Sequence, residues 1–419
     1  RYGTVTGVQT CALPILKMNV SVIIFTLVVF GMIPLAFGQS YPEMGIKIDV
    51  IADNLKVPWA IDFASDGRMF FTERVGNVNV IQNGEVNQIM SLGVGGGEGG
   101  MLGIALDPNF DENNHIYIYY TYNEFLGIKN RLAQYSESNN VLTEEKVLIE
   151  DIPGAPYHDG GRIKFGPDGM LYVTTGDAVE PDLSQDVNSV AGKILRINSD
   201  GTIPEDNPFG SAVYSMGHRN PQGIDWDKSG NLVSTEHGPS GWIGVAHDEI
   251  NLIVPGANYG WPHVFGDQTQ EGLTNPVLHS GDDTWAPSGS TFYYGEEMPM
   301  FDGKYFASAL RGQHIHMIEF DENFGVSYHG ELFSGEFGRI RDVTSGPDGL
   351  YFMTSNQDGR GNPNLYDDKI LRISPLYNYE DSPAWVQNIS EWYMKGMISK
   401  QNSIDAHSYL VEKGIISQN

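Results

Sequence analysis

A chain of 419 residues exceeds the usual single domain but lies within reach of closed all-β architectures, and its 40% hydrophobic content suffices for a large core. Fifty glycines and twenty-two prolines suit short strands and turns rather than long helices. The balance of 53 acidic against 25 basic residues, a net charge of −28, repels phosphate backbones and anionic membranes and excludes nucleic acid as a partner. The same acidity fits a soluble extracellular protein and helps calcium sites form, although solubility alone accounts for it equally well. The single cysteine, Cys11, precedes the expected mature chain, so an intrachain disulfide, a cysteine-ligated metal and a thiol nucleophile are ruled out.

In chain order, residues 1–17 carry no feature of a folded element and read as a sequencing or translation artefact, or a non-native leader, upstream of Met18. From Met18 the apolar run Val20–Phe30 is too short to span a bilayer comfortably; Pro34 and the small-residue stretch Ala36-Phe37-Gly38 follow. This layout predicts a signal peptide over 18–38, a secreted or cell-surface protein, and no membrane span in the mature chain. No Lys or Arg follows Met18 in the n-region, so an uncleaved anchor is the alternative.

Between 41 and 375 one theme recurs: an apolar strand, a turn rich in Asp and Gly, and a second apolar strand. It is seen at Phe63–Phe71, Phe165–Val173, Trp226–Val233 and Ser345–Met353, with turn glycines Gly67, Gly169, Gly230 and Gly349. Glycine supplies the positive φ that such a tight turn requires. Weaker copies at Asp107–His115 and Phe301–Phe306 fill the two wide gaps. Six units of about 56 residues predict an all-β, six-bladed β-propeller of four-stranded antiparallel blades, where an irregular β-sandwich would not explain the period.

Propellers place function where loops from successive blades converge. Four clusters qualify. His158-Asp159-Gly-Gly-Arg162 puts a potential general base beside glycines, or simply a loop histidine with a structural hydrogen bond. Arg219-Asn220-Pro-Gln-Gly223 offers a planar donor fork for a carboxylate or developing oxyanion, or a loop-bracing arginine. Glu236-His237-Gly238-Pro239, with Asp248-Glu249 and Asn258-Tyr259-Gly260-Trp261-Pro262, gathers hard oxygen donors of the calcium type. Arg339-Ile340-Arg341-Asp342 places two arginines two apart on one strand face, which implies a multiply anionic partner unless Asp342 or Glu336 pairs with them.

After Pro375 the pattern turns helical. Ser382-Pro383 reads as an N-cap with proline at the first helical position, followed by Ile389, Trp392, Tyr393 and Met397 at helical spacing and a second apolar stretch from Ile404 to Val411. A small helical tail module over 381–419 is expected. It is similar to a short Trp-containing module often appended to exported archaeal proteins, which implies an archaeal origin.

Taken in order, the motifs around His158, Arg219, Glu236, Asn258 and Arg339 resemble those of the soluble quinoprotein glucose and aldose sugar dehydrogenases, over about residues 47–375. The resemblance implies oxidation of aldose sugars at C1 to lactones, dependent on pyrroloquinoline quinone (PQQ) and Ca2+, with an electron acceptor that the sequence does not identify. His158 matches the base that takes the anomeric proton while hydride passes to C5 of the quinone. Arg219 matches the arginine at the quinone oxygen, and Asn220 its neighbouring cofactor contact. The carbonyls of Gly238 and Pro239 match calcium ligands, and Arg339 and Arg341 match the pair that binds the cofactor carboxylates. Arg311 stands where glucose dehydrogenases carry a cofactor-binding lysine. Glu98 falls where some members place a glutamine, and there it would repel the cofactor unless paired or protonated. Trp285 is either a platform for the ring system or a core aromatic. Tyr157 replaces the acid that precedes the base in glucose dehydrogenases, which favours the broader aldose type.

Two further classes of function fit a six-bladed propeller: a calcium-dependent lactonase-type hydrolase, and a non-catalytic carbohydrate-binding protein. The arginine pair argues against the first, and retention of His158 with Arg219 against the second.

Overall fold

Each of the four Asp-Gly turns joins the first strand of a sheet to its second in the computed structural model of the protein, which describes residues 39–125, 127–239, 246–380 and 382–419. The expected leader and signal segment, with Cys11, lie outside the described residues. Gly67, Gly169, Gly230 and Gly349 all have positive φ, as the turns demand. The two weaker copies occupy the same place: Asp107–Asn114, with a one-turn helix at Phe110–Asn113, and Pro299–Lys304 join the first two strands of their own sheets.

Six antiparallel sheets result, and in blades 1 to 5 strand order runs outward in sequence order. Their innermost strands are Pro58–Phe63, Met101–Leu106, Ile163–Phe165, Pro221–Trp226, Pro287–Phe292 and Ile340–Gly346, which belong to blades 1 to 6 and neighbour one another in a closed ring. Blade 6 closes the ring. Its three C-terminal strands take the N-terminal strand Ile46–Ala52 as a fourth, with Ile48 opposite Ile373, and Gln39–Tyr41 adds a fifth. Four strands hold in the other five blades.

Burial follows position. Second strands such as Leu171–Thr175, Leu232–Glu236 and Tyr305–Ala309 are buried along their whole length, because both faces pack against neighbouring blades. They therefore read as continuous apolar or small-residue runs. The outer strand Glu85–Ser91 is mostly exposed and carries Glu85, Asn87 and Gln88.

The tail adds helices Ala384–Met394 and Lys400–Glu412, and the final strand Ser417–Gln418 pairs with Tyr377–Asn378. Val386, Ile389, Leu410 and Ile416 share one core with Ile46, Ile48 and Ile373 of blade 6 and Phe301 of blade 5. Lys400 bonds Glu43 at 2.7 Å and Lys395 bonds Glu319 at 2.9 Å. The first helix begins one residue later than expected: Pro383 is itself the N-cap and Ser382 Oγ makes no cap bond. Ser399 caps the second helix by accepting from the Asn402 N–H. Met397 lies beyond the first helix and is exposed. No helix among the described residues is long and apolar enough to cross a membrane.

Candidate active site

In every blade the inner strand starts, and the second strand ends, on the face opposite the Asp-Gly turns. Trp59, Arg162, Gln222, Ser288 and Arg341, from five blades, meet there: Arg341 Nη1 donates to Gln222 Oε1 (2.9 Å) and Ser288 Oγ (3.3 Å), and the Arg162 guanidinium lies 4.4 Å from the Trp59 ring.

The His158 loop enters blade 3 across the end of that blade's second strand. The crossing is close: a Cβ on Gly176 would sit 1.8 Å from the His158 carbonyl oxygen, and one on Gly160 2.7 Å from that of Thr174. His158 has φ +64°, a strained conformation held by this crossing. Its Nδ1 lies 2.7 Å from Asp177 Oδ1. The buried Asp177 carboxylate also accepts from Val179 N (2.8 Å) and Trp261 Nε1 (2.9 Å), so its orientation is set. An acceptor on Nδ1 keeps the proton there and leaves Nε2 as the basic nitrogen. Asp177 carries no signal in the sequence beyond a Gly-Asp pair directly after a buried strand.

Asn220 ties the next blade to this loop, its Oδ1 accepting from Gly160 N at 3.0 Å. Arg219 donates its backbone N–H to Glu236 and its Nη1 to the His237 carbonyl (3.2 Å), and its guanidinium lies 5.4 Å from the Trp261 ring. Burial draws Arg219 below its ordinary basicity, against the pull of Asp177 and Glu236.

Beside these residues is a cavity of about 250 Å³ whose lining includes Trp59, Glu98 and four arginines, Arg74, Arg339, Arg341 and Arg360. Neither expected acid neutralises the arginine pair. Asp342 bonds Arg162 at 3.0 Å, and Glu336 bonds Gln39 and Tyr41. Arg339 instead grips Asp358 through Nε and Nη2, both at 2.8 Å. Arg341 is buried with its Nε unpartnered, and burial together with the charges of Arg74 and Arg339 pulls it well below its ordinary value. A buried guanidinium with an orphan donor beside three more is a pocket short of negative charge. It fits a compact ligand with several carboxylates.

Glu98 is paired: Arg360 Nη1 donates to its Oε1 at 2.6 Å and His158 N approaches its Oε2 at 3.4 Å. Two expected cofactor contacts fall elsewhere. Arg311 is exposed on the turn after Tyr305–Ala309, and its neighbour Leu310 lines the cavity. Trp285 packs at a tilt against His316 (4.5 Å) and edge-on against His329 (5.7 Å) within blade 5. The aromatic wall is Trp59, and the sequence reading missed it along with Arg74, Asp358 and Arg360.

At Gly238 the backbone N–H donates to Asp248 Oδ1 (2.9 Å), while Asp248 Oδ2 accepts from Trp285 N and Ala286 N. A Cβ there would lie 2.2 Å from the carbonyl oxygens of both Ala246 and His247. Backbone oxygens therefore crowd this corner, the donor chemistry that calcium takes. Among the described residues no group of three or more His, Cys, Asp or Glu side chains is arranged to hold a metal.

A six-bladed propeller that presents an aspartate-oriented histidine beside an arginine-lined cavity has the site of an enzyme handling an anionic cofactor. The chain belongs to the glucose/sorbosone dehydrogenase family, which it matches over residues 55–371. It is 30% identical over 361 residues to the aldose sugar dehydrogenase YliI of Escherichia coli, covering 79% of this chain and 93% of that one. It is 32% identical over 287 residues to quinoprotein glucose dehydrogenase B of Acinetobacter calcoaceticus, covering 59% of each. The PQQ-bound aldose sugar dehydrogenase of Streptomyces coelicolor superposes with a TM-score of 0.70 at 34% identity, covering 81% of this chain and 99% of that one.

Proposed function

We propose that the protein oxidises aldose sugars at C1 to lactones, with PQQ in the arginine-lined cavity and calcium at Gly238 and Pro239. The observation that carries this reading is the His158–Asp177 pair standing beside a cavity with four guanidinium groups and an orphan buried donor on Arg341. When bound, the quinone supplies the two-electron sink for the hydride from the sugar.

His158 Nε2 takes the proton of the anomeric hydroxyl, and the buried Asp177 stabilises the imidazolium that forms. Arg219 holds positive charge where negative charge develops. Arg339 and Arg341 bind carboxylates of the cofactor, with Arg339 exchanging Asp358 for that partner or sharing its fork. The Gly238 and Pro239 carbonyls supply hard oxygen ligands to the metal. Trp59 walls the cavity and excludes water from it. A lactonase would have no use for four arginines facing one cavity. Export of the protein belongs to the same reading and rests on the Met18–Gly38 segment.

The test is dye reduction by protein loaded with PQQ and calcium, assayed against several aldoses. Activity that disappears with a calcium chelator and returns with calcium supports the reading. Absence of activity on every aldose tried contradicts it.

A further inference from the structure

We infer that Arg360 is a specificity-determining residue which, with Glu98 and Tyr157, recognises the hydroxyl groups of the sugar at the cavity mouth; this rests on the sugar-oxidation reading above. Arg360 comes from the loop that follows the second strand of blade 6, where Asp358 Oδ1 accepts its backbone N–H at 2.8 Å. Unlike Arg339 and Arg341, which are buried, its side chain is 53% exposed. It reaches across the mouth to the loop entering blade 2, where it meets Glu98 at 2.6 Å. Its guanidinium lies 5.7 Å from the ring of Tyr157, the residue before His158.

Three loops thus bring together a planar donor fork, an acceptor carboxylate and an aromatic face. Glu98 also touches the His158 backbone, so the group sits at the edge of the candidate base. These are the elements that bind a polyol: forked donors and acceptors for adjacent hydroxyls, and a ring against the C–H face. The charges of Arg360 and Glu98 cancel, which suits a neutral sugar. The buried arginines face the anionic cofactor instead. Loop bracing alone would not need the most exposed of the four cavity arginines to hold its guanidinium between Glu98 and the Tyr157 ring beside His158.

The experiment compares wild-type, R360K and R360A holoenzymes on glucose and its 2-, 3- and 6-deoxy analogues, and measures PQQ affinity of each apoprotein by titration. R360K keeps the charge and the pairing with Glu98 but loses the fork. Its PQQ affinity stays within about twofold of wild type, while KM for glucose rises roughly tenfold or more and KM for at least one deoxy analogue does not change. An unchanged KM for glucose in both variants overturns the assignment. So does an equal rise for glucose and all three analogues, which is the mark of a structural brace. A wild-type holoenzyme that binds PQQ but oxidises no aldose removes the sugar-oxidation reading, and this assignment with it.

Discussion

His158 gains its chemistry from a residue 19 positions away. Asp177 lends the imidazole its tautomer and its orientation, so with His158 as the proposed base the loss of Asp177 is felt at the proton-transfer step rather than in binding. Asp177→Asn should lower kcat by about 100-fold or more with little change in KM, measured by dye reduction. The next residue, Asp159, behaves differently. Its carboxyl is buried, Oδ1 accepts from Asn130 and Ala155, and Oδ2 has no partner. Burial pushes it up to about 7 from a usual value near 4. Between those values the folded chain holds a proton that the unfolded chain has lost, so stability falls as pH rises through the window and stays reduced above it. Asp159→Asn should flatten that slope in denaturant unfolding measured from pH 4 to pH 8. A slope equal to wild type would show that Asp159 is already ionised in the folded protein. His158, Arg219 and Arg341 were legible because residue type and flanking turn residues mark them. Asp177, Trp59, Asp358 and Arg360 were not: Asp177 and Asp358 meet His158 and Arg339 only when the second strand of a blade pairs with the first, and Trp59 and Arg360 meet their partners only across blades.

Elements place these side chains through the repeated geometry of the blade. Every inner strand starts on the site face, so a residue just before it faces the site without any special local feature. The second strands end there as well, which is the rule that sequence periodicity did not expose. Where two such elements cross, glycine is obligatory. Gly176→Ala would drive a methyl group into the His158 carbonyl and displace the loop, so activity should fall by at least tenfold while far-UV circular dichroism is unchanged. Wild-type activity in that variant would show that the loop position does not matter for turnover. Arg311 and Trp285 show how local packing modifies that rule. Both sit at the site end of blade 5, but Arg311 is exposed on a turn, Trp285 packs at a tilt against His316, and neither lines the cavity.

At the scale of the molecule, the six-fold repeat was readable because each blade repeats one hairpin, closed by an Asp- and Gly-containing turn in four blades and by a weaker copy in the other two. Closure of the ring was not, because pairing Ile48 with Ile373 joins residues 325 apart, and no local pattern announces it. The tail was readable as two helices but not as a part of the blade 5 and blade 6 core, since helical periodicity gives a buried face without naming its partner. The closed ring in turn brings Arg74, Arg339, Arg341 and Arg360 to one cavity on the face that carries His158. The most direct measurement is an equilibrium titration of the apoprotein with PQQ in calcium, run on wild type, His158→Ala and Arg339→Ala. One quinone per chain is expected, with the same affinity in a turnover-dead His158→Ala and binding weakened by roughly tenfold or more in Arg339→Ala. Failure of the wild type to bind quinone, or equal affinity in Arg339→Ala, would contradict the proposed quinone site.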